Sequence, residues 1–327
     1  MKIYFDTNVY RMVEERGEVK KMRKMLNRNG CILIASGSNL FETRSIRWPG
    51  EVRSKLKLIT ELANNLAPEP ISWLETLEVT NAVRRLRPEW MKSVSFVKKA
   101  RRLLDTYRGQ WDDAKSQKLP RWFQHQEYKE VSEQEIGKGR ESQKAFRELK
   151  RLGALNMHDL LLYLIPKLSS VEVERVAALD PADPAVFWRL DNLIAWLNTV
   201  NNQSREYFDW LAPYLKLCAF RDPSYPSFWL LEVTPEEVPL CRLRGLVSFY
   251  QMEFRPTHGN LSDQLHAGHW LSSDLFMTAD DILHKVLTKI ADAHIPERPK
   301  PVLVHRDVAS CVDQVEASIR SYVGSRR

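Results

Sequence analysis

The residues of this chain with the clearest chemical potential are carboxylates set at the ends of apolar strands. Lys2-Ile3-Tyr4-Phe5-Asp6-Thr7-Asn8 reads as a short strand that delivers Asp6 at its last step. Near the other end, Asp274-Leu275-Phe276-Met277-Thr278-Ala279-Asp280-Asp281 repeats the device. In a parallel α/β sheet the carboxyl ends of the strands line one edge, where such folds bind ligands. Glu42 falls in the helix expected after the second strand, and Asp263 in the helix expected before Leu275, in the frame Asp263-x-x-His266-Ala267-x-x-Trp270. All four acids can reach that edge. Crowded carboxylates repel one another unless a cation neutralises them, and hard oxygen ligands select Mg²⁺ or Mn²⁺ over softer-ligand metals. Mg²⁺ keeps several waters, one of which can become the nucleophile for in-line attack on phosphorus. The chemistry expected is therefore phosphodiester hydrolysis. A single aspartate at a strand end is most often a turn or a helix cap, so the inference rests on the set. At the last position Asp280 ranks ahead of Asp281, which can instead cap the following helix, and ahead of Asp274, which begins its strand.

The elements that must position these residues lie at both ends of the chain. Residues 2 to 6 form the first strand, and a Lys/Arg-rich amphipathic stretch from Val9 to Leu26 forms a helix stopped by Asn29-Gly30. Cys31-Ile32-Leu33-Ile34-Ala35 is a continuous apolar run, the expected look of a strand buried on both faces. Ser38 or Asn39 is placed to cap the helix carrying Leu40, Phe41 and Glu42. The last ninety residues alternate in the same way: helix over 261–271, strand over 275–278, helix over 281–291, strand over 301–304, and a closing helix. This alternation implies an α/β domain with a mostly parallel sheet, built from residues 1–64 and 241–327.

Between them, over residues 65–240, strand signals almost vanish and helical periodicity dominates, near 72–85, 92–115, 140–167, 171–179 and 184–217. Pro-containing breaks such as Asp180-Pro181-Ala182-Asp183-Pro184 separate the segments. The expectation is a large all-helical insertion. From Lys92 to Arg151 it carries sixteen Lys/Arg against nine Asp/Glu, with Trp111, Trp122, Phe123 and Tyr128 interleaved. Cations can hold phosphates and rings can stack on bases, which makes Lys98, Lys99, Arg101 and Arg102 candidate nucleic-acid contacts. The competing reading is a solvated helix face with its aromatics in the core. From Ala185 to Leu217 the wealth of Trp, Phe and Leu reads as the core of a helical bundle.

Composition sets the outer limits. At 327 residues the chain exceeds the usual single-domain size and can bury a large core. The four cysteines, Cys31, Cys218, Cys241 and Cys311, are scattered without metal-site or Cys-x-x-Cys spacing, so they are read as reduced and the protein as cytoplasmic. No leader-like start and no apolar run near about 18 residues points to secretion or a membrane. The net charge of +7 favours polyanions, though mildly. A Gly-rich phosphate loop and a nucleophile elbow are both lacking.

Asp-Thr-Asn after an N-terminal apolar strand, a Glu in the second helix, Asp-x-x-His-Ala, and Leu-Phe-Met-Thr-Ala-Asp together resemble the ordered acidic motifs of PIN-domain nucleases. The resemblance covers roughly residues 1–60 and 240–305, and the helical middle departs from a minimal PIN domain. It implies a three-layer α/β/α domain in which Asp6, Glu42, Asp263 and Asp280 are the first to fourth acids, binding one or two Mg²⁺ or Mn²⁺ ions. Asn8 and Thr278 would orient ligands or water behind them. His266 and His269, one turn apart, are spaced for a metal, but the resemblance treats His266 as packing near the site. The implied activity is endoribonuclease, with RNA favoured over DNA. A toxin or phage-defence role, an inhibitory or activating protein partner and pairing into a homodimer are implied less directly. Rival readings are a structure-specific DNA nuclease and a non-catalytic module that binds nucleic acid or a partner.

Overall fold

The computed structural model describes residues 1–42, 49–67, 69–93, 97–116, 141, 144, 169–180, 182–200, 209–254 and 260–325. From the N-terminus, β1 (Lys2–Phe5) leads into α1 (Thr7–Glu15) and α2 (Val19–Arg28), then β2 (Ile32–Ala35), α3 (Gly37–Phe41), α4 (Pro49–Leu62) and β3 (Asn65–Leu66). The helical stretch holds α5 (Ile71–Leu86), α6 (Val97–Lys115), α7 (Ser170–Ala177), α8 (Pro184–Val200) and α9 (Pro239–Gln251). The chain closes with α10 (Asn260–Ser272), β4 (Leu275–Thr278), α11 (Asp281–His294), β5 (Val302–Leu303) and α12 (Cys311–Ser325).

The five strands form one sheet in the order β3-β2-β1-β4-β5, and every pairing is parallel. The first three strands step outward on one side of β1, and the fourth returns to its other side. The order therefore reverses at the β1/β4 boundary, the place where doubly wound sheets open a crevice at their carboxyl edge. Side chains alternate across a strand. Ile3, Phe5, Leu33, Leu275 and Met277 join one buried core with residues of α1, α2, α4 and α12. Tyr4 and Phe276 face the opposite way and stack with centroids 5.5 Å apart. Tyr4 also stacks on His269 of α10, at 4.6 Å. Helices thus cover both faces, as an α/β fold requires.

Several expected elements take a different form. The single helix expected over Val9–Leu26 is two, because Gly17 turns the chain between them with φ of +64°, a left-handed conformation natural to glycine. The cap of α3 is Ser36, earlier than expected: its hydroxyl accepts from the Asn39 N–H while the Asn39 side chain accepts from the Ser36 N–H. One helix was expected to follow the second strand, but α3 ends at Phe41 and a separate α4 follows. The strand β3 was not expected. Its two residues carry no apolar run and are held at the edge by Asn64 N–H donating to Leu33 O at 3.0 Å and Ala67 N–H to Ala35 O at 2.7 Å.

The chain divides into two compact units, residues 1–70, 105–138 and 257–327 in one and 71–104 and 139–256 in the other. These limits differ from the expected 64 and 240, and the first unit takes back the later part of α6. The second unit is helical around Trp90, Trp188, Trp196, Phe228 and Trp229. Helices α8 and α9 cross closely there, since a Cβ on Gly245 would lie 2.5 Å from the Trp188 Cα. All four cysteines are free, and no helix among the described residues is long and apolar enough to cross a membrane.

Candidate functional site

The carboxyl edge at the β1/β4 boundary is built by helix capping. Asp6 is the N-cap of α1: its Oδ1 accepts from the Asn8 N–H at 2.6 Å and the Val9 N–H at 3.2 Å. Asp280 is the N-cap of α11, with Oδ1 accepting from the Ile282 and Leu283 N–H groups at 2.8 and 2.9 Å. Both strands must end in a polar residue that starts a helix, so the acids sit where the strands stop. Thr278 ties the two together. Its hydroxyl donates to Asp6 Oδ2 and accepts from the Asp280 N–H, and the β1 end is pinned further by Asp6 N–H donating to Met277 O at 3.0 Å. Asn39 holds the neighbouring strand end in place, its Nδ2 donating to Phe5 O and to the Thr7 hydroxyl.

Tyr4, two residues before Asp6 and therefore on the same face of β1, carries the other half of the site. Its hydroxyl lies 2.7 Å from Ser36 Oγ and 2.6 Å from His266 Nδ1. The second ring nitrogen, Nε2, lies 3.0 Å from Glu42 Oε1. His266 is buried on α10, and Asp263 stands one turn earlier on the same helix.

The electrostatics join all four acids. Burial drives the Asp6 carboxyl up to about 6 and Glu42 pushes the same way, while His266 and the Thr278 hydroxyl pull against them. Asp263 is held well above the ordinary range by burial first, then by the charges of Asp280, Asp6 and Glu42, with His266 opposing. Burial alone would depress the His266 imidazole, but Glu42, Asp6 and Asp263 outweigh it and raise the ring. His269 is the contrast: burial and its neighbour His266 push it down to about 3.

The structure thus brings Asp6, Glu42, Asp263 and Asp280 to one edge, with Thr278 behind them, and Asn8 contributes its main-chain N–H. Asp281 is exposed in the first turn of α11. Asp274 lies at the opposite edge of the sheet, where its carboxylate accepts from the Lys2 N–H at 2.7 Å. A pairing of His266 with His269 on one ion is not formed, because His266 turns both nitrogens to Tyr4 and Glu42. Sequence reasoning missed Tyr4 and Ser36. The signal for Tyr4 was its parity with Asp6 on the strand; for Ser36 it was the strand-end serine followed three residues later by Asn39.

Among the described residues no group of three or more His, Cys, Asp or Glu is gathered tightly enough to hold a metal ion as it stands. The chemistry of the donor set does suit a hard divalent ion: four carboxylates, two of which, Asp6 and Asp263, are held above their ordinary range by burial and by the charge of neighbouring acids.

The candidate nucleic-acid contacts Lys98, Arg101 and Arg102 are exposed on α6, whereas the Lys99 side chain lies outside the described residues. Of the aromatics read either as stacking platforms or as core, Trp111 is buried in the sheet-side core, in one cluster with Ala114. Trp122, Phe123 and Tyr128 lie outside the described residues, as does the helix expected over 140–167 apart from residues 141 and 144. Compared with models of known families, with curated proteins and with solved structures, the chain matches none.

Proposed function

We propose that this chain is a divalent-metal-dependent nuclease of PIN type, acting on RNA in preference to DNA. The observation that carries the reading is the meeting of Asp6 and Asp280 at the reversal point of the sheet, bridged by Thr278, with Glu42 and Asp263 acting on the same charge balance. Asp6, Glu42, Asp263 and Asp280 would hold Mg²⁺ or Mn²⁺. A bound divalent ion supplies an activated water and a Lewis acid for phosphodiester hydrolysis. The protein's own part is to fix the acids: helix N-termini hold one oxygen each of Asp6 and Asp280, and the Thr278 hydroxyl holds the second oxygen of Asp6. No protein nucleophile is required. The basic residues of α6 would contact the substrate backbone. A toxin or phage-defence role, restrained or triggered by a partner protein, follows from the family resemblance alone.

A second reading, a non-catalytic binding module, draws on the capping geometry: Asp6 and Asp280 each already serve a helix N-terminus. The test compares matched structured RNA and single-stranded DNA at one ionic strength in Mn²⁺, Mg²⁺ and EDTA. Metal-dependent cleavage of RNA is the expected result. Preferential cutting of DNA would turn the reading to a DNA nuclease, and stable binding without turnover in Mn²⁺ would favour the module.

A further inference from the structure

Glu42 lies beyond the end of β2, where α3 stops. It is the C-cap of the five-residue α3 through its main-chain N–H, whereas Asp6 and Asp280 each cap a helix with a side-chain oxygen. Its carboxylate is reached from across the fold by a hydrogen-bonded chain that runs Ser36, Tyr4, His266, Glu42 with separations of 2.7, 2.6 and 3.0 Å. Ser36, Tyr4 and His266 are all buried.

The hydrogen count gives this chain a direction. The Ser36 hydroxyl can donate to Asn39 Oδ1, 3.2 Å away, which leaves Ser36 Oγ free to accept from Tyr4. If the Tyr4 hydrogen goes to Ser36, the Tyr4 oxygen accepts from His266 Nδ1; if it goes to His266, Nδ1 is the acceptor. In the first arrangement both ring nitrogens carry hydrogen and in the second only Nε2 does; in either, Nε2 donates to a carboxylate at Glu42 Oε1. The donor at Glu42 therefore does not depend on which arrangement holds. The Tyr4 ring is also held by stacking, on His269 and on Phe276, at an interplanar angle of 16° in each case.

Resting on the reading of the acid cluster as a divalent-ion site, we propose that Tyr4 and His266 are positioning residues for Glu42: a buried arm across β1 and α10 that orients the Glu42 carboxylate toward the cation. Partners that hold metal-binding carboxylates in this way contribute about 10- to 100-fold to metal affinity.

The test is Mn²⁺ binding to the full chain without nucleic acid, followed by electron paramagnetic resonance, for wild type, His266→Leu, His266→Gln and Tyr4→Phe. Glutamine keeps an N–H donor near the position of Nε2, whereas leucine keeps only bulk. His266→Leu should bind Mn²⁺ about 10- to 100-fold more weakly, and His266→Gln should recover most of that loss. Tyr4→Phe retains the ring stack and removes only the hydroxyl; weaker Mn²⁺ binding than wild type, by less than in His266→Leu, is expected at unchanged circular dichroism. This variant carries the test if His266→Leu does not fold. Wild-type affinity in both His266→Leu and Tyr4→Phe would overturn the arm while leaving the metal site standing. Failure of wild type itself to bind Mn²⁺ would overturn the metal site and the arm together.

Discussion

At the scale of the residue, the site is a set of carboxylates that destabilise one another. Asp263 gains a proton more readily than an ordinary aspartate because it is buried beside Asp280, Asp6 and Glu42. Replacing it by asparagine removes one charge from that cluster. Asp263→Asn should therefore abolish cleavage while the melting temperature of the metal-free chain holds or rises, by up to ~3 °C. A large fall in melting temperature would make Asp263 a structural residue. Asp6 sets a pH dependence whose sign can be worked out. Its carboxyl rises from an ordinary 3.8 to about 6 in the fold, so the folded state binds the proton more tightly. Its contribution to folding is most favourable below about pH 4 and is lost as pH climbs to 6, beyond which it is a constant penalty of roughly 3 kcal/mol. A divalent ion binds the deprotonated form and offsets that penalty. Mn²⁺ should accordingly raise the melting temperature more at pH 7 than at pH 5; an equal rise at both would contradict this account of Asp6.

At the scale of the element, Asp6 and Asp280 cap helices with the same side chains that the proposed cleavage would use, and the two roles can be separated. Asparagine caps a helix about as well as aspartate, whereas alanine loses about 1 kcal/mol. Asp280→Asn should leave stability nearly intact and Asp280→Ala should lower it, yet both should stop cleavage. Full activity in Asp280→Asn would reduce this residue to a cap of α11. The elements also show how far the sequence could be read. Strands with strong apolar runs were legible: β4 falls on the expected residues 275–278, and β1 and β2 are each one residue shorter than expected. The edge strand β3 was not, because two residues supply no periodicity and only pairing with β2 defines them. The break at Gly17 was hidden by an apolar pattern that continues across it. Of the site, the four acids could be read from strand ends and helix spacing, whereas Tyr4 and Ser36 left only strand parity and a Ser-x-x-Asn frame as signals, because their roles arise from contacts over 32 and 262 positions of sequence.

At the scale of the whole molecule, the helical unit and the sheet-bearing unit each have their own core, and the basic residues singled out from the sequence lie on α6. Neutralising Lys98, Lys99, Arg101 and Arg102 together should weaken RNA binding and flatten its dependence on salt, since each phosphate contact contributes close to one unit of slope. Unchanged affinity and slope would assign these residues to a solvated helix face. The central claim is that the carboxyl edge beside β1 cuts phosphodiester bonds with a divalent ion. Its most direct test is cleavage of end-labelled structured RNA in Mn²⁺ and in EDTA by wild type and by Asp6→Asn, a substitution that keeps the cap of α1 and removes the charge. Products that need Mn²⁺ and vanish in a folded Asp6→Asn protein are the predicted result; equal cleavage by wild type and mutant, or none by either, would contradict the account.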